Sequence, residues 1–185
     1  KQEREIRRLR GLLTKDPLTG IYNRQGFSEA ADMLFAEVRH ALHAKEQREH
    51  FWIDALSLAL FDIDSFKKVN DTYGHRMGDQ VLQYVSTEIM KRVRTSDIVA
   101  RVGGEEIALL LVGADAQAAF RIADDIRRAI RSHLKIKKLP RFQVTVSIGV
   151  ATVTVKTKSF DELYRLADQG LYSAKSSGKN KVIAL

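Results

Sequence analysis

Two short acidic motifs carry the strongest chemical signal in this chain. Asp62-Ile63-Asp64 closes a continuous apolar run, Leu56 to Phe61, and Glu105-Glu106 follows Gly103-Gly104 between two further apolar runs. The first run predicts a buried central strand with a carboxylate at its C-terminal tip. Ile98 to Val102 and Glu106 to Val112 predict the strands of a tight hairpin around the glycine pair. In a split β-α-β arrangement strand and hairpin are neighbours, so these four acids are expected to converge at one edge. Carboxylates so crowded repel unless a cation sits between them, and hard oxygen ligands point to magnesium or manganese. Any one of the acids alone would read as a solvated loop residue; their coincidence at adjacent strand ends argues for a site.

Basic residues lie close by. Ser65-Phe66-Lys67-Lys68 follows the first motif, where free N–H groups at the start of a short helical segment can receive phosphate oxygens and Lys67 adds positive charge. Lys175-Ser176-Ser177-Gly178-Lys179-Asn180-Lys181 follows the last predicted helix. Taken alone, it is equally a solvated helix C-terminus with a glycine cap.

The elements that must position these groups are readable from periodicity. A helix is expected from about Ser28 into the polar stretch around Lys45 to His50, and His40 and His43 there read as helix surface. Val81, Val85, Ile89 and Val93 recur every four residues, predicting a helix over Met77 to Val93. Phe120, Ala123, Arg127 and Ile130 mark another, Val144 to Val153 alternates as a strand, and Phe160, Leu163, Ala167 and Leu171 mark a last helix before a short strand, Val182 to Ala184. The order β-α-β-β-α-β, with extra pieces at both ends, predicts an α+β fold of the ferredoxin-like α/β sandwich type. Ahead of it, Ile6, Leu9 and Leu13 carry the seam of an N-terminal helix that pairs with its own copy, packs on its own domain or frays as a tail. Residues 1–15 are thus expected as a linker or signalling helix and residues 16–185 as the catalytic domain, with Asp16-Pro17-Leu18-Thr19-Gly20 breaking the helix between them.

Composition narrows the class. The 185 residues, 44% hydrophobic, suit one domain. The longest apolar runs, Ala55 to Phe61 and Ile107 to Ala114, fall far short of the roughly 18 residues that cross a bilayer, so no membrane contact by these residues is expected. The chain starts at Lys1 with no signal-peptide pattern, so it reads as part of a longer protein, which could carry a membrane anchor elsewhere. There is no cysteine, hence no disulfide and no thiolate metal site. Half of the net charge of +8 sits in residues 1–15, where six Lys or Arg face two Glu. The remaining charge is ordinary for a protein that handles polyphosphates, and no aromatic residues interleave with a basic face, so no nucleic-acid partner is expected.

With these motifs assembled, the chain resembles the GGDEF-domain diguanylate cyclases over nearly its whole length. The resemblance rests on Asp16-Pro17-Leu18-Thr19-Gly20 through Asn23-Arg24, Phe61 to Asp71, Tyr73-Gly74-His75 with Gly78-Asp79, Arg101 to Ile107, Ser147-Ile148-Gly149-Val150-Ala151, and Ala174-Lys175 through Asn180, in order and at similar spacing. It implies a bacterial signalling enzyme that condenses two GTP into cyclic di-GMP as a homodimer, with two magnesium or manganese ions per active site, and GTP as substrate implies the cytoplasm. By the same resemblance Asp62, the main-chain carbonyl of Ile63 and Glu105 would hold metal, and Glu106 would be a further ligand or the base. Asn70 and Asp79 would read the guanine edge, Phe66 and Lys67 would lie under the phosphates, and Lys175 and Lys179 would reach the terminal ones. Arg94 and Asp97, ending five residues before Gly103, resemble the inhibitory product site.

The chain departs from the family in two places. Ile107 stands where the family usually has Phe and is expected to pack in the core, and Lys179 stands where Arg is frequent, keeping charge but losing bidentate geometry. The first keeps open a rival reading, a catalytically weak domain that serves as a receptor for GTP or cyclic di-GMP. The interval from Phe27 to Asp62 is also longer than usual, with the extra length placed near Ala44 to Asp54.

Overall fold

The computed structural model describes residues 13–44, 53, 55–132 and 143–185. The expected N-terminal helix seam at Ile6 and Leu9, the segment around Lys45 to His50 and most of the added length near Ala44 to Asp54 lie outside these residues. Ten elements follow in order: α1 (Arg24–Ala44), β1 (Leu56–Ile63), α2 (Phe66–Tyr73), α3 (His75–Met90), β2 (Ile98–Arg101), β3 (Glu106–Val112), α4 (Ala116–Ser132), β4 (Val146–Thr152), α5 (Phe160–Ser176) and β5 (Val182–Ala184). The strands form one sheet in the order β2-β3-β1-β4-β5, antiparallel except for the parallel β4–β5 pair. This is the expected ferredoxin-like, palm-like α+β sandwich, with β5 added beyond β4.

All eight residues of β1 are buried, as a central strand covered on both faces requires. Alternation sends Ala59, Phe61 and Ile63 to one face, where they meet Val81, Val85 and Ile89 of α3 and Ala123, Ile126 and Ile130 of α4. Leu56, Leu58 and Leu60 go to the other, against Phe27, Ala31 and Phe35 of α1 and Leu163, Ala167 and Leu171 of α5. Asp62 shares the parity of Leu60, so it leaves the sheet on the α5 side. Ile107 is fully buried at 0% exposure on the α3/α4 face, so its difference from Phe is a matter of packing.

Several boundaries differ from those the periodicity predicts, with β2 ending at Arg101 and β4 confined to Val146–Thr152. Helix α1 begins at Arg24, four residues before Ser28, because the Asn23 side chain accepts the Gly26 N–H at 2.9 Å and caps the helix there. Helix α3 runs from His75 to Met90, starting two residues before Met77 and stopping three before Val93, where a tight turn brings the Arg92 N–H to the Ile89 carbonyl at 2.9 Å. His40 is exposed on α1, as its position on a helix surface predicts.

Helix α5 crosses β4 at a glycine contact. A Cβ placed on Gly149 would lie 1.9 Å from the Ala167 carbonyl oxygen and 2.2 Å from the Leu171 nitrogen, both main-chain atoms that cannot swing aside. This approach seats α5 low on the sheet and brings its C-terminal end to the tip of β1. Gly149→Ala is therefore expected to destabilise the fold by about 3 kcal/mol, the upper part of the usual range for overpacking. The shift of the urea midpoint at unchanged slope measures it.

Candidate active site

The site is built at the end of the sheet where β1 finishes and β3 begins. Register places Asp62 opposite Glu106 on one side and opposite Ser147 of β4 on the other. The Ile63 N–H donates to the Glu105 carbonyl at 3.4 Å, closing the seam between strand and signature turn. The turn is held from outside by Arg101, whose Nη2 donates to the Gly104 carbonyl at 2.8 Å and whose Nε lies 3.2 Å from both the Gly103 and Gly104 carbonyls. Arg101 also meets Asp16 at 3.4 Å, and Arg24 Nε donates to the Val102 carbonyl at 2.8 Å. The segment from Asp16 to Arg24 thus braces the hairpin, with Tyr22 pairing along the outer edge of β2.

Asp62 is only 4% exposed, and its Oδ2 accepts from Lys175 Nζ of α5 at 2.6 Å. Burial pushes the Asp62 carboxyl above its ordinary value, Glu106 and Asp64 add to the rise, and the Lys175 ammonium opposes without cancelling it. Glu105 is raised as well, first by burial and then by Asp62, with Lys175 and Lys179 pulling the other way. Lys179 Nζ donates to Ser65 Oγ at 3.1 Å, so two of the three lysines of the C-terminal basic segment, Lys175 and Lys179, reach the strand tip. Glu106 folds back over the turn, since a Cβ on Gly103 would lie 2.2 Å from its Oε2.

Beside this edge opens a cleft of about 510 Å³ lined by Phe66, Lys67, Asn70, Asp71, His75, Asp79, Leu82, Arg101, Gly104 and Glu105. Asn70 sits against Gly78, whose missing side chain makes room for it: a Cβ there would fall 2.0 Å from Asn70 Oδ1. Asp79 is exposed on the cleft wall. The sequence-predicted residues Phe66, Lys67, Asn70, Asp79 and Glu105 therefore line one cleft, with Asp62, Lys175 and Lys179 at its end. Arg101, Asp71, His75 and Leu82 were not assigned from the sequence, although Arg101 heads the signature motif.

One expectation needs correction. Asp64 does not join the other three acids: its carboxylate accepts from Thr145 Oγ1 at 2.7 Å, Ser147 Oγ at 2.7 Å and the Asn180 N–H at 3.0 Å, which consumes it internally. Arg94 and Asp97 lie at the other end of the β2–β3 hairpin, where Asp97 accepts from the Arg94 N–H at 2.8 Å and the Val112 N–H at 3.1 Å.

Among the described residues no three His, Asp or Glu side chains form a complete cation cage. The donors still fit a small hard cation, because Asp62 and Glu105 are carboxylates whose charge is disfavoured where they stand. Magnesium is usually bound by one or two carboxylates and completed by water and substrate phosphates, which is the set this edge can offer.

A mixed sheet of this topology, with acids at the tip of its central strand and lysines beside them, defines a palm-like α+β domain. Residues 13–181 match the family model for the diguanylate cyclase GGDEF domain. The probable diguanylate cyclase DgcT of Escherichia coli K12 is 36% identical over 181 residues, an alignment covering 96% of this chain and 37% of that protein. The chain thus spans well under half the length of this relative. The coiled coil and GGDEF domain of DgcB from Caulobacter crescentus, solved in complex with c-di-GMP, matches with a TM-score of 0.84 at 30% identity, over 100% of this chain and 92% of that one. The active GGEEF domain of a diguanylate cyclase from Vibrio cholerae matches with a TM-score of 0.75 at 29% identity, over 88% and 96%. The chain belongs to the GGDEF-domain diguanylate cyclase family.

The charge arrangement yields a titration test. Lys175 opposes the rise at both Asp62 and Glu105, so Lys175→Met is expected to raise both carboxyls further. An acid raised on folding contributes most to stability below its ordinary value and loses that contribution as pH rises through the folded value. Lys175→Met should therefore lose stability relative to wild type as pH climbs from 4 towards 8, by carbon-detected NMR titration alongside urea unfolding at each pH.

Proposed function

We propose that this chain is a diguanylate cyclase domain, joining two GTP molecules into cyclic di-GMP and releasing two diphosphates. The observation that carries this reading is the strand tip, where disfavoured carboxylates on Asp62 and Glu105 stand beside Lys175 and Lys179 at the end of the cleft holding Asn70 and Asp79. The turn Gly103-Gly104-Glu105-Glu106 matches the first four residues of the GGEEF motif of the active Vibrio cholerae domain, and Ile107 departs at the fifth.

In the reaction, the 3′-hydroxyl oxygen of one GTP attacks the α-phosphorus of the other. The new O3′–P bond replaces the bond from that phosphorus to the departing diphosphate, and the hydroxyl proton passes to a carboxylate, for which Glu106 is the candidate. The same exchange in the opposite sense closes the ring. Asp79 accepts from guanine N1–H and the exocyclic amino group while Asn70 meets the same edge; adenine has no N1 donor and leaves Asp79 without a partner. Phe66 and Lys67 lie under the phosphates, and Lys175 and Lys179 receive the terminal ones. Two magnesium or manganese ions, held by Asp62, the Ile63 carbonyl, Glu105 and Glu106, would lower the pKa of the attacking hydroxyl and neutralise charge on the departing diphosphate. The protein's own contribution is mainly orientation.

Each domain supplies half of a site, so a homodimer is required, with residues 1–15 as the linker helix and residues 16–185 as the catalytic body. GTP as substrate places that body in the cytoplasm, and an anchor elsewhere in the parent protein is compatible with this. Among the described residues no helix is long and apolar enough to cross a membrane. The exposed Arg94 and the adjacent Asp97 form the proposed product site, remote from the cleft, so that bound cyclic di-GMP holds domains apart without entering the active site. The burial of Ile107 favours turnover over the receptor reading, because its side chain packs in the core.

Turnover of GTP with magnesium, followed by chromatography, is expected to rise more than proportionally with chain concentration and to be absent with ATP alone. Asp62→Ala and Glu105→Ala should each lower it by at least roughly 100-fold, the scale of losing transition-state charge stabilisation. Either variant turning over at the wild-type rate would remove the metal assignment. Cyclic di-GMP should inhibit non-competitively with GTP, and Arg94→Ala should raise the half-inhibiting concentration by about 10-fold or more, equivalent to about 1.4 kcal/mol. Equal product affinity of wild type and Arg94→Ala by calorimetry would leave the pair without a regulatory role.

A further inference from the structure

The mechanism above makes no use of Asp64, a carboxylate 5% exposed and two residues from Asp62. We propose that Asp64 is a positioning residue that fixes the lysine-bearing segment after α5, and so sets the affinity of the site for the terminal phosphates of a nucleoside triphosphate. This inference rests on the proposed function of the same edge.

Three residues within four positions of the β1 end each hold one residue of the C-terminal segment. Asp62 holds Lys175 at 2.6 Å, Asp64 holds the Asn180 N–H at 3.0 Å, and Ser65 holds Lys179 at 3.1 Å. Only the Asp64 link grips the main chain of that segment; the other two grip the ends of long flexible side chains. The grip is needed because Lys179 and Asn180 have φ of +63° and +47°, a left-handed conformation that non-glycine residues seldom adopt. Asp64 is itself immobile, with Oδ1 taken by Ser147 and Oδ2 by Thr145 as well as Asn180. From the other side Arg127 donates to the Asn180 carbonyl at 3.2 Å and its Oδ1 at 3.0 Å, and is steadied by Asp124 at 2.7 Å. A charge-assisted bond to one N–H thus determines where Lys179, the residue before Asn180, starts from, while α5 itself places Lys175.

The two hydroxyl donors can rotate to accept, whereas the Asn180 N–H cannot. An amide at position 64 can therefore keep its oxygen on Asn180 and turn its NH2 towards Ser147. This separates a positioning role from simple loss of buried charge.

The experiment is calorimetric titration of GTP, supplied as its non-cleavable α,β-methylene analogue, and of GMP, with magnesium, into wild type, Asp64→Ala, Asp64→Asn and Asp64→Glu. GMP reports the guanine pocket without the terminal phosphates. Asp64→Ala is expected to weaken GTP by about 10-fold or more with GMP unchanged, and Asp64→Asn to stay within about 3-fold of wild type for both, the cost of one weakened neutral bond. Asp64→Glu, which keeps the charge but carries it one methylene further, should weaken GTP selectively even if the alanine variant does not fold. Equal loss for GTP and GMP, or no loss of GTP, overturns the proposal. Failure of wild type itself to bind GTP would overturn the proposed function as well, so the two failures are distinguishable.

Discussion

A carboxylate buried at the tip of the central strand is the constraint on which the rest of the site depends. Asp62 cannot be moved without breaking the β1 ladder, because its neighbours on both sides are paired with β3 and β4. Its negative charge is costly there and has to be met by something positive. In the structure Lys175 meets it, and that contact fixes how far along the sheet the end of α5 must reach. The close contact of α5 with β4 at Gly149 follows from the same requirement, since a helix seated higher could not bring its last turn to the strand tip.

The signature turn is organised from its outer side. Arg101 and Arg24 hold main-chain carbonyls of Gly103, Gly104 and Val102, so the guanidinium groups shape the backbone while Glu105 lines the cleft. Burial pushes Asp16 up, but hydrogen bonds from Thr19 and the attraction of Arg101 outweigh it and hold the carboxyl below its ordinary value. The same segment covers the outer edge of β2 through Tyr22, which removes an exposed strand edge next to the site.

Much of this was legible in the sequence because it rests on short-range periodicity. The apolar run ending in Asp62, the glycine pair before Glu105 and the four-residue spacing in α3 all correspond to elements found where expected. What was not legible depends on partners far along the chain. Asp64 reads like Asp62 in sequence, and only Thr145, Ser147 and Asn180, each more than 80 residues away, divert it from the acidic edge. Gly78 looks like an ordinary helix residue until Asn70 is seen filling the place of its side chain. The early start of α1 has a local cause, the cap supplied by the Asn23 side chain, which apolar periodicity does not reveal.

An incomplete set of donors is consistent with the chemistry proposed for this edge. A full cage of carboxylates would hold a cation whether or not nucleotide were present, and it would leave no open position for a phosphate oxygen. Here two acids raised first by burial, with Asp62 adding to the rise at Glu105, stand against one lysine 2.6 Å from Asp62. The Lys175 ammonium offsets the cost of that buried charge only in part, since the Asp62 carboxyl stays above its ordinary value with the lysine beside it. A cation arriving at this edge would meet negative charge that the chain's own lysine leaves undercompensated, which is the electrostatic ground of the proposed metal assignment.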